Sequence, residues 1–311
     1  MGSKFDVHVL GSSSATPTSK RYPTAQLLNV AERFYLIDCG EGTQIQLRRY
    51  RLKFQRINHI FISHLHGDHY LGLMGLISSL HLLGRKNELH IYHPPGLKEI
   101  IELQLQLSGT VLNYPIIWTA HRSDVSEVLL DDGNVTVTTI PLNHRIHCCG
   151  FLFREKDKMY SLNKTQLTYY KIPVAQFQEI RKGNDAVLED GTIIPASRLT
   201  TGRPIARQYA FCSDTRFSES VIEAVRAVDL LYHEATFLHE LLQRAEQTFH
   251  TTAREAGEVA AKADVRQLLI GHFSVRYTDV NVLLEECKQF FSNTLCAEEG
   301  TIVSIPQRKE V

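Results

Sequence analysis

A segment of six residues in this chain contains four potential metal-binding side chains and lies just after an apolar run. The run is Ile60-Phe61-Ile62, and the segment His64-Leu65-His66-Gly67-Asp68-His69 follows after one serine. Such a run predicts a buried strand, and the residues from Tyr70 onward have the pattern of a helix. This loop constrains the fold more than any other feature, because other parts of the chain must converge on it to complete a metal site.

The spacing inside this motif predicts two ions. His64 and His66 are two residues apart, so in an extended segment their side chains point to the same side. Asp68 and His69 lie where the chain becomes helical, and they face a second point in space. Imidazole and carboxylate together suit Zn²⁺ or a similar divalent ion. Since one ion rarely takes all four ligands from one short loop, two ions are expected, each partly served by it.

Further polar side chains follow other predicted strands at the points where those strands end. They are His144, Asp214, His233 with Glu234, and His272. Sites in α/β sheets lie beyond the carboxyl ends of strands. Predicted helices flank these strands on both sides, which favours a mixed α/β fold, an αββα sandwich with the site at one edge of two packed sheets.

The metal motif resembles the signature of the metallo-β-lactamase superfamily, and the rest of the chain resembles one branch of it, the ribonuclease Z family. The resemblance covers nearly the whole chain, and it narrows to this branch through His-Glu-Ala-Thr at 233–236 and His-Thr-Thr at 250–252. It implies a metallo-β-lactamase αββα sandwich with a protruding arm. It also implies an endoribonuclease that removes the 3′ trailer of precursor tRNA.

The resemblance assigns the metal ligands to two groups around two zinc ions, for which Mn²⁺ or Co²⁺ are possible substitutes. The first group is His64, His66 and His144, the second is Asp68, His69 and His272, and Asp214 completes both. A carboxylate can bridge ions about 3.5–4 Å apart, and two cations lower the pKa of a shared water so that hydroxide can attack phosphorus. Asp68 would accept a proton or orient this water. His147 is an alternative to His144 as third ligand, although His144 follows the strand end directly.

Cleavage of a phosphodiester also requires a proton for the departing oxygen. Glu234 and His250 match the family's carboxylate–histidine pair, and general acid catalysis contributes about 10²–10⁴-fold. Arg276 with Ser274 is expected to bind phosphate, because arginine can hold two phosphate oxygens at once. Asp38 is either a turn residue or a group that orients a metal-bound histidine.

Residues 154–207 differ in composition from the rest, with ten Lys or Arg against six Asp or Glu. In the family this position carries an arm that grips tRNA, so the segment is expected to be an inserted tRNA-binding arm within a single domain of residues 1–311. The alternative is an ordinary insertion that packs on the body. Lys20, Arg21 and the basic residues between 48 and 56 either contact RNA or form a solvated face.

The whole-chain composition limits the remaining possibilities. The formal net charge is zero, so any basic surface for precursor tRNA must be local. No run of 18 apolar residues is present, and we expect a cytoplasmic protein with no membrane partner and six reduced cysteines. A homodimer is implied by the resemblance only. The rivals are another hydrolase of this fold (a small phosphodiesterase, thioesterase or lactonase) and a non-catalytic RNA-binding subunit, which would have lost ligands.

Overall fold

The structure is a computed structural model and describes residues 4–310. These residues form two compact units, the first from residues 4–154 and 208–305 and the second from residues 155–207 and 306–310. Within the described residues the strands are β1 (Phe5–Gly11), β2 (Ala25–Val30), β3 (Arg33–Ile37), β4 (Ile57–Phe61), β5 (Leu89–His93), β6 (Ile116–Ala120), β7 (Val128–Asp131), β8 (Val135–Pro141), β9 (Cys149–Glu155), β10 (Ser161–Leu162), β11 (Ala186–Val187), β12 (Ile193–Ile194), β13 (Thr200–Thr201), β14 (Gln208–Cys212), β15 (Leu230–Glu234), β16 (Leu268–Gly271), β17 (Thr294–Cys296) and β18 (Ile302–Ser304).

The α-helices are short. They are α1 (Thr43–Arg49), α2 (Gly67–Tyr70), α3 (Leu73–Leu82), α4 (Leu97–Leu107), α5 (Lys164–Tyr169), α6 (Phe177–Lys182), α7 (Ala196–Leu199), α8 (Glu219–Ala224), α9 (Leu242–Thr248), α10 (Ala253–Lys262) and α11 (Asn281–Lys288). Single 3₁₀ turns cover Phe54–Arg56, Val174–Gln176 and His239–Leu241. None of the helices in residues 4–310 has the length and apolar character that crossing a membrane requires.

The first unit contains two seven-stranded sheets. One has the strand order β18-β1-β2-β3-β4-β5-β6, in which β3 to β6 are parallel. The other has the order β17-β16-β15-β14-β9-β8-β7, in which β14 to β17 are parallel. Within each parallel set the carboxyl ends of the strands lie along one edge of the sheet, and the loops that carry polar side chains begin there.

The two sheets pack face to face because side chains alternate along each strand. On β3, Tyr35 lies in the apolar cluster between the sheets, whereas its neighbour Leu36 lies in a cluster on the outer face. Phe61 of the first sheet meets Phe151 and Phe153 of the second, with ring centroids 5.5 and 5.3 Å apart. Helices α1, α3 and α4 contribute to the outer cluster of the first sheet, and α8, α10 and α11 to that of the second. The predicted αββα sandwich is confirmed.

The second unit has an apolar core of its own, made by Leu167, Ile172, Ile180, Ala186, Ile194 and Leu199. Its sheets are the pairs β10–β13 and β11–β12. Arg207 forms a two-pronged ion pair with Glu155, at 2.7 and 2.8 Å, and both side chains are buried. Residues 306–310 also belong to this unit, as the bridge between Pro204 and Lys309 shows. The sequence did not indicate that the end of the chain joins the inserted segment.

Candidate metal centre

The predicted ligand side chains converge at the carboxyl edge of the sandwich. Each lies in a loop that follows a strand: His64 after β4, His144 after β8, Asp214 after β14 and His272 after β16. Helix α2 begins inside the motif at Gly67, so Asp68 and His69 project from its first turn while His64 and His66 precede it. The prediction that His64 and His66 face one point, and Asp68 and His69 another, agrees with this change from extended to helical backbone.

Three imidazoles and one carboxylate oxygen form the first ligand group. His66 Nδ1 lies 3.0 Å from His64 Nε2 and 3.2 Å from His144 Nε2. Asp214 Oδ2 lies 3.5 Å from His64 Nε2 and 3.9 Å from His144 Nε2. The four ligand atoms all lie within 4.8 Å of one another.

The second ligand group uses the other oxygen of the same aspartate. Asp214 Oδ1 lies 3.1 Å from His69 Nε2 and 3.1 Å from His272 Nε2. Asp68 Oδ2 lies 3.5 and 3.3 Å from the same two nitrogens, which are 3.3 Å apart. Asp214 therefore presents one oxygen to each group, as a bridging ligand does.

These separations fit divalent ions with tetrahedral ligands. Ligand atoms about 2.0–2.1 Å from a tetrahedral ion lie about 3.3 Å from each other. The pairs of ligand atoms named for the second group are 3.1 to 3.5 Å apart, and those named for the first are 3.0 to 3.9 Å apart. Both groups mix imidazole and carboxylate, the ligands that zinc and its close relatives accept.

The polar side chains around the ligands determine which ring nitrogen faces the centre. Asp38 Oδ2 accepts a hydrogen bond from His69 Nδ1 at 2.7 Å, which leaves Nε2 for the second group. Ser63 donates to the same oxygen at 3.0 Å and lies 3.0 Å from His64 Nδ1. The backbone carbonyl of Phe249 lies 3.1 Å from His144 Nδ1. Such partners fix ligand tautomer and orientation, and they strengthen metal binding.

Three polar residues of the centre have a left-handed backbone conformation that non-glycine residues rarely adopt. Their φ angles are 54° for Asp38, 22° for Asp214 and 58° for His272. Close backbone contacts surround them: a Cβ atom at Gly72 would lie 2.0 Å from the carbonyl oxygen of Gly40, two residues after Asp38. Strained residues of this kind persist only where the surrounding structure holds them, which is common at functional sites.

The electrostatics of the centre show that it is built for cations. Burial would raise the pKa of Asp68, but His69 and His272 hold it well below its usual range. Burial acts on Asp214 in the same direction, and the neighbouring His272, His69 and His64 hold its pKa well below normal. Burial would lower the pKa of His69, yet Asp214, Asp68 and Asp38 raise it well above its usual value. Buried carboxylates this close together need positive charge nearby, either protons on imidazoles or metal ions.

Glu234 and His250 are brought together beside the ligands. His250 Nδ1 donates to Glu234 Oε1 at 2.9 Å, and the same oxygen accepts the Thr215 backbone N–H at 2.7 Å. A ligand-type atom of His250 lies within 4.8 Å of those of Asp214 and His272. Burial lowers the pKa of His250, but the charge and hydrogen bond of Glu234 outweigh it and raise the pKa to about 9. Two nearby divalent cations would bring this pKa back towards neutrality.

Other predicted residues lie outside the two groups. His147 contacts Ser123 and His121 at 3.2 Å each and is not among the ligand atoms, so His144 takes the third position. His233 is buried in β15 and lies 2.8 Å from the carbonyl oxygen of Glu234. Ser274 is buried, whereas the Arg276 side chain is exposed and its backbone N–H donates to Ser274 at 3.4 Å. Their phosphate-binding role stays a prediction.

Sequence reasoning missed two hydroxyl groups and one backbone group in the centre. Ser63 stands between Asp38 and His64, Thr236 between Glu234 and His272, and Ala15 donates its backbone N–H to Asp68 Oδ2 at 2.7 Å. Ser63 directly precedes the metal motif and Thr236 ends the His-Glu-Ala-Thr segment, so their positions carried a signal. Nothing in the sequence indicates the contact at residue 15.

The sandwich with two ligand groups bridged by one aspartate defines a metal-dependent hydrolase of the metallo-β-lactamase fold. The crystal structure of the metallo-beta-lactamase fold protein YhfI from Bacillus subtilis superposes with a TM-score of 0.68 at 20% identity, over 97% of this chain and 99% of that one, so the two proteins share this fold.

Proteins of similar sequence identify the family within this class. Ribonuclease Z of Bacteroides fragilis (strain YCH46) is 48% identical over 302 residues, 97% of this chain and 99% of that protein. The crystal structure of human tRNase Z, short form, gives a TM-score of 0.71 at 28% identity, over 97% of this chain and 99% of that one. A family model described as "Anti-Pycsar protein Apyc1" matches residues 5–281. The chain belongs to the ribonuclease Z family, and it also belongs to the family that this model describes.

Proposed function

We propose that this chain removes the 3′ trailer of precursor tRNA by hydrolysing one phosphodiester bond at a centre of two zinc ions. The observation that carries the proposal is the division of Asp214 between two ligand groups beside the Glu234–His250 pair. Two ions held in this way suit an in-line displacement at phosphorus, and the adjacent pair suits an oxyanion that departs poorly without a proton. Full-length similarity to ribonuclease Z supports the choice of substrate.

The ions would be held by His64, His66, His144, Asp68, His69 and His272, with Asp214 between them. When bound, two divalent ions supply Lewis acidity and lower the pKa of a water that they share. The neighbours of Asp68 keep its carboxylate ionised, so it can accept a hydrogen bond or a proton from the attacking water. Ala15 and the two imidazoles occupy its Oδ2, which leaves Oδ1 for the water.

His250 would donate the proton to the departing oxygen. Its Nδ1 is committed to Glu234, so the proton for the substrate comes from Nε2. The charge and hydrogen bond of Glu234 raise the pKa of His250, which favours the protonated imidazole that a proton donor needs. Glu234 is a positioning residue in this scheme, since it contacts the imidazole and orients it.

The second unit would bind the tRNA through exposed basic and aromatic side chains. Lys164, Lys171 and Arg181 are exposed and form no ion pair with a described residue. Tyr169 is 75% exposed and packs edge-on against Tyr170 with ring centroids 4.9 Å apart. Unpaired cations attract phosphates, and an exposed aromatic ring offers a stacking surface for a base. This combination supports a nucleic-acid surface more than a segment that serves packing alone.

We also propose a cytoplasmic homodimer. All six cysteines are free thiols and five are buried, as in proteins from reducing compartments. Exposed leucine and valine side chains lie near the ends of α3 and α4, where Leu82, Leu107 and Val111 are 81, 78 and 84% exposed. Such apolar surface suits burial between two copies. Sedimentation analysis of the wild type and of Leu107→Glu tests this, and a monomeric wild type would contradict it.

The decisive experiment incubates the metal-loaded protein with labelled precursor tRNA, with and without a chelator. We expect one cut that releases the 3′ trailer, loss of cleavage with chelator, and recovery on adding Zn²⁺ or Mn²⁺. A protein that leaves the RNA intact while it hydrolyses a small cyclic or aryl phosphodiester would instead be a small phosphodiesterase. Elemental analysis should find close to two divalent ions per chain, and a value near zero with no recovery of activity would contradict the centre.

A further inference from the structure

The hydroxyl of Thr236 lies between a metal ligand and the carboxylate of the proton-donor pair. Its Oγ1 donates to Glu234 Oε2 at 2.6 Å and lies 3.1 Å from His272 Nδ1. The side chain is buried, at 2% exposure, so water does not substitute for these contacts. Thr236 is not itself a member of either ligand group, yet it contacts His272 of the second group and Glu234 of the Glu234–His250 pair.

The distribution of protons at Thr236 determines the tautomer of His272. One hydroxyl proton has two acceptors, Glu234 Oε2 at 2.6 Å and the carbonyl oxygen of His272 at 3.0 Å. The carboxylate is closer and charged, so it takes the proton. The oxygen of Thr236 is then an acceptor for His272 Nδ1–H. This places the proton on Nδ1 and leaves the Nε2 lone pair facing Asp68 and Asp214, at 3.3 and 3.1 Å.

We propose that Thr236 is a positioning residue that orients His272 and couples the second ion position to the proton-donor pair. The coupling follows from Glu234, because its Oε2 holds Thr236 while its Oε1 holds His250 at 2.9 Å. Removal of this carboxylate charge would therefore affect the orientation of both His272, through Thr236, and His250. The proposal rests on the two-ion centre of the proposed function and is independent of its RNA substrate.

The other side of the centre uses the same arrangement. Ser63 Oγ donates to Asp38 Oδ2 at 3.0 Å and lies 3.0 Å from His64 Nδ1, while the same Asp38 oxygen holds His69 directly at 2.7 Å. In both places one carboxylate holds one imidazole directly and a second through a buried hydroxyl. The repetition shows that the hydroxyl is a bridge between ligand and carboxylate and not only a core side chain.

Metal titration of three variants, with a chelating dye as competitor and no substrate present, tests the proposal. Thr236→Val keeps the shape but removes the hydroxyl, and we expect it to bind the second ion about 10–100-fold more weakly and the first ion normally. Thr236→Ser restores the hydroxyl and should bind both ions like the wild type. Thr294→Val is the matched control, since Thr294 is a buried threonine that donates to a backbone carbonyl at the amino-terminal start of β17.

A spectroscopic measurement separates the bridge from general loss of structure. In the zinc-loaded wild type, the Nδ1–H proton of His272 should give a downfield, slowly exchanging resonance. The signal should persist in Thr236→Ser and weaken by exchange in Thr236→Val, while the signals of His69 and His64 stay in place. Unchanged exchange of the His272 proton in Thr236→Val would overturn the proposal.

The Glu234→Gln variant keeps the proposal testable if Thr236→Val does not fold. Glu234 is not a ligand, yet its neutralisation should weaken the second ion, and adding Thr236→Val should weaken it little further, because both act through one contact. Additive losses, equal losses in Thr236→Val and Thr294→Val, or failure of Thr236→Ser to restore binding would each show the proposal wrong. If the wild type itself binds only one ion, the two-ion centre of the proposed function fails. If it binds two and Thr236→Val does so equally well, only the role of Thr236 fails.

Discussion

The metal centre and the surface of the second unit differ in how their charged side chains are placed: those of the centre are buried and paired, and basic side chains of the second unit are exposed. In the centre, the carboxylates of Asp38, Asp214 and Glu234 are buried. Each has an imidazole nitrogen close by, at 2.7, 3.1 and 2.9 Å respectively. On the second unit, basic side chains such as Lys164 and Lys171 extend into solvent without a described ion-pair partner.

Under the proposed function, this difference separates residues that bind the metal ions or transfer protons from residues that attract the polyanionic RNA. A ligand or proton donor must stand in one orientation before the substrate arrives, so its partners must be fixed. A surface that binds phosphates can remain mobile, because its attraction is long-ranged and insensitive to exact geometry. Substitutions in the two regions should therefore change different measurable quantities.

The largest effect is expected at Asp68. Asp68→Ala removes a ligand of the second group and the acceptor for the water proton, so turnover should fall by more than about 10³-fold. Affinity for precursor tRNA, measured by filter binding, should change little. Asp124→Ala, which removes an exposed aspartate paired with Arg122, is the control. Turnover of Asp68→Ala near that of the wild type would remove this residue from the mechanism.

The next effect depends on the leaving group. His250→Ala should slow precursor cleavage by about 10²–10⁴-fold, because the RNA oxygen needs a proton to depart. Hydrolysis of a nitrophenyl phosphodiester should change far less, since nitrophenolate leaves as an anion. The ratio of the two rates is the measurement. Equal losses on both substrates would mean that His250 positions a ligand or a phosphate instead of donating a proton.

A smaller effect, on binding alone, is expected from the second unit. Replacing Lys164, Lys171 and Arg181 by Gln should weaken precursor binding and reduce the slope of log affinity against log salt by about 2–3. Hydrolysis of the nitrophenyl ester should be spared. The triple change of Lys98, Lys262 and Lys288, which are ion-paired on the first unit, alters net charge equally and is the control. An equal loss in both triple variants would show that only the overall charge matters.

The smallest effect is a change in pH dependence. The carboxylate of Glu234 raises the pKa of His250, so His250 is protonated at low pH and loses its proton as the pH rises. Without that charge the proton is lost earlier, and the alkaline limb of precursor cleavage by Glu234→Gln should move to lower pH. Turnover against pH measures this shift. A limb that stays in place would mean that another group controls it.

The sequence predicted both the sandwich and the set of side chains that converge at its edge, but not every element around them. The motif at 64–69 and the strand-end positions of His144, Asp214 and His272 identified the residues that converge, because ligand chemistry allows few residue types and topology sends strand ends to one edge. The start of α10 also has a local sequence signal, because Thr252 and Glu255 form a capping box there.

Other features follow from tertiary packing and left little local trace. Strands β17 and β18 were not predicted from the sequence. These strands have three residues each and are specified by the neighbours that they pair with. The joining of residues 306–310 to the second unit depends on contacts more than 90 residues apart in the chain, about which local periodicity says nothing.

Residues 155–207 are inserted between two strands that are neighbours in the second seven-stranded sheet. Arg154 on β9 and Gln208 on β14 are directly paired in antiparallel orientation, so residues 155–207 connect the two strands in the way that the loop of a β-hairpin does. Length and composition between those two positions can therefore vary over evolution without altering the register of the strands that carry Asp214 and Glu234. If residues 155–207 bind the RNA as proposed, RNA binding can diversify in evolution while the residues of the metal centre stay unchanged.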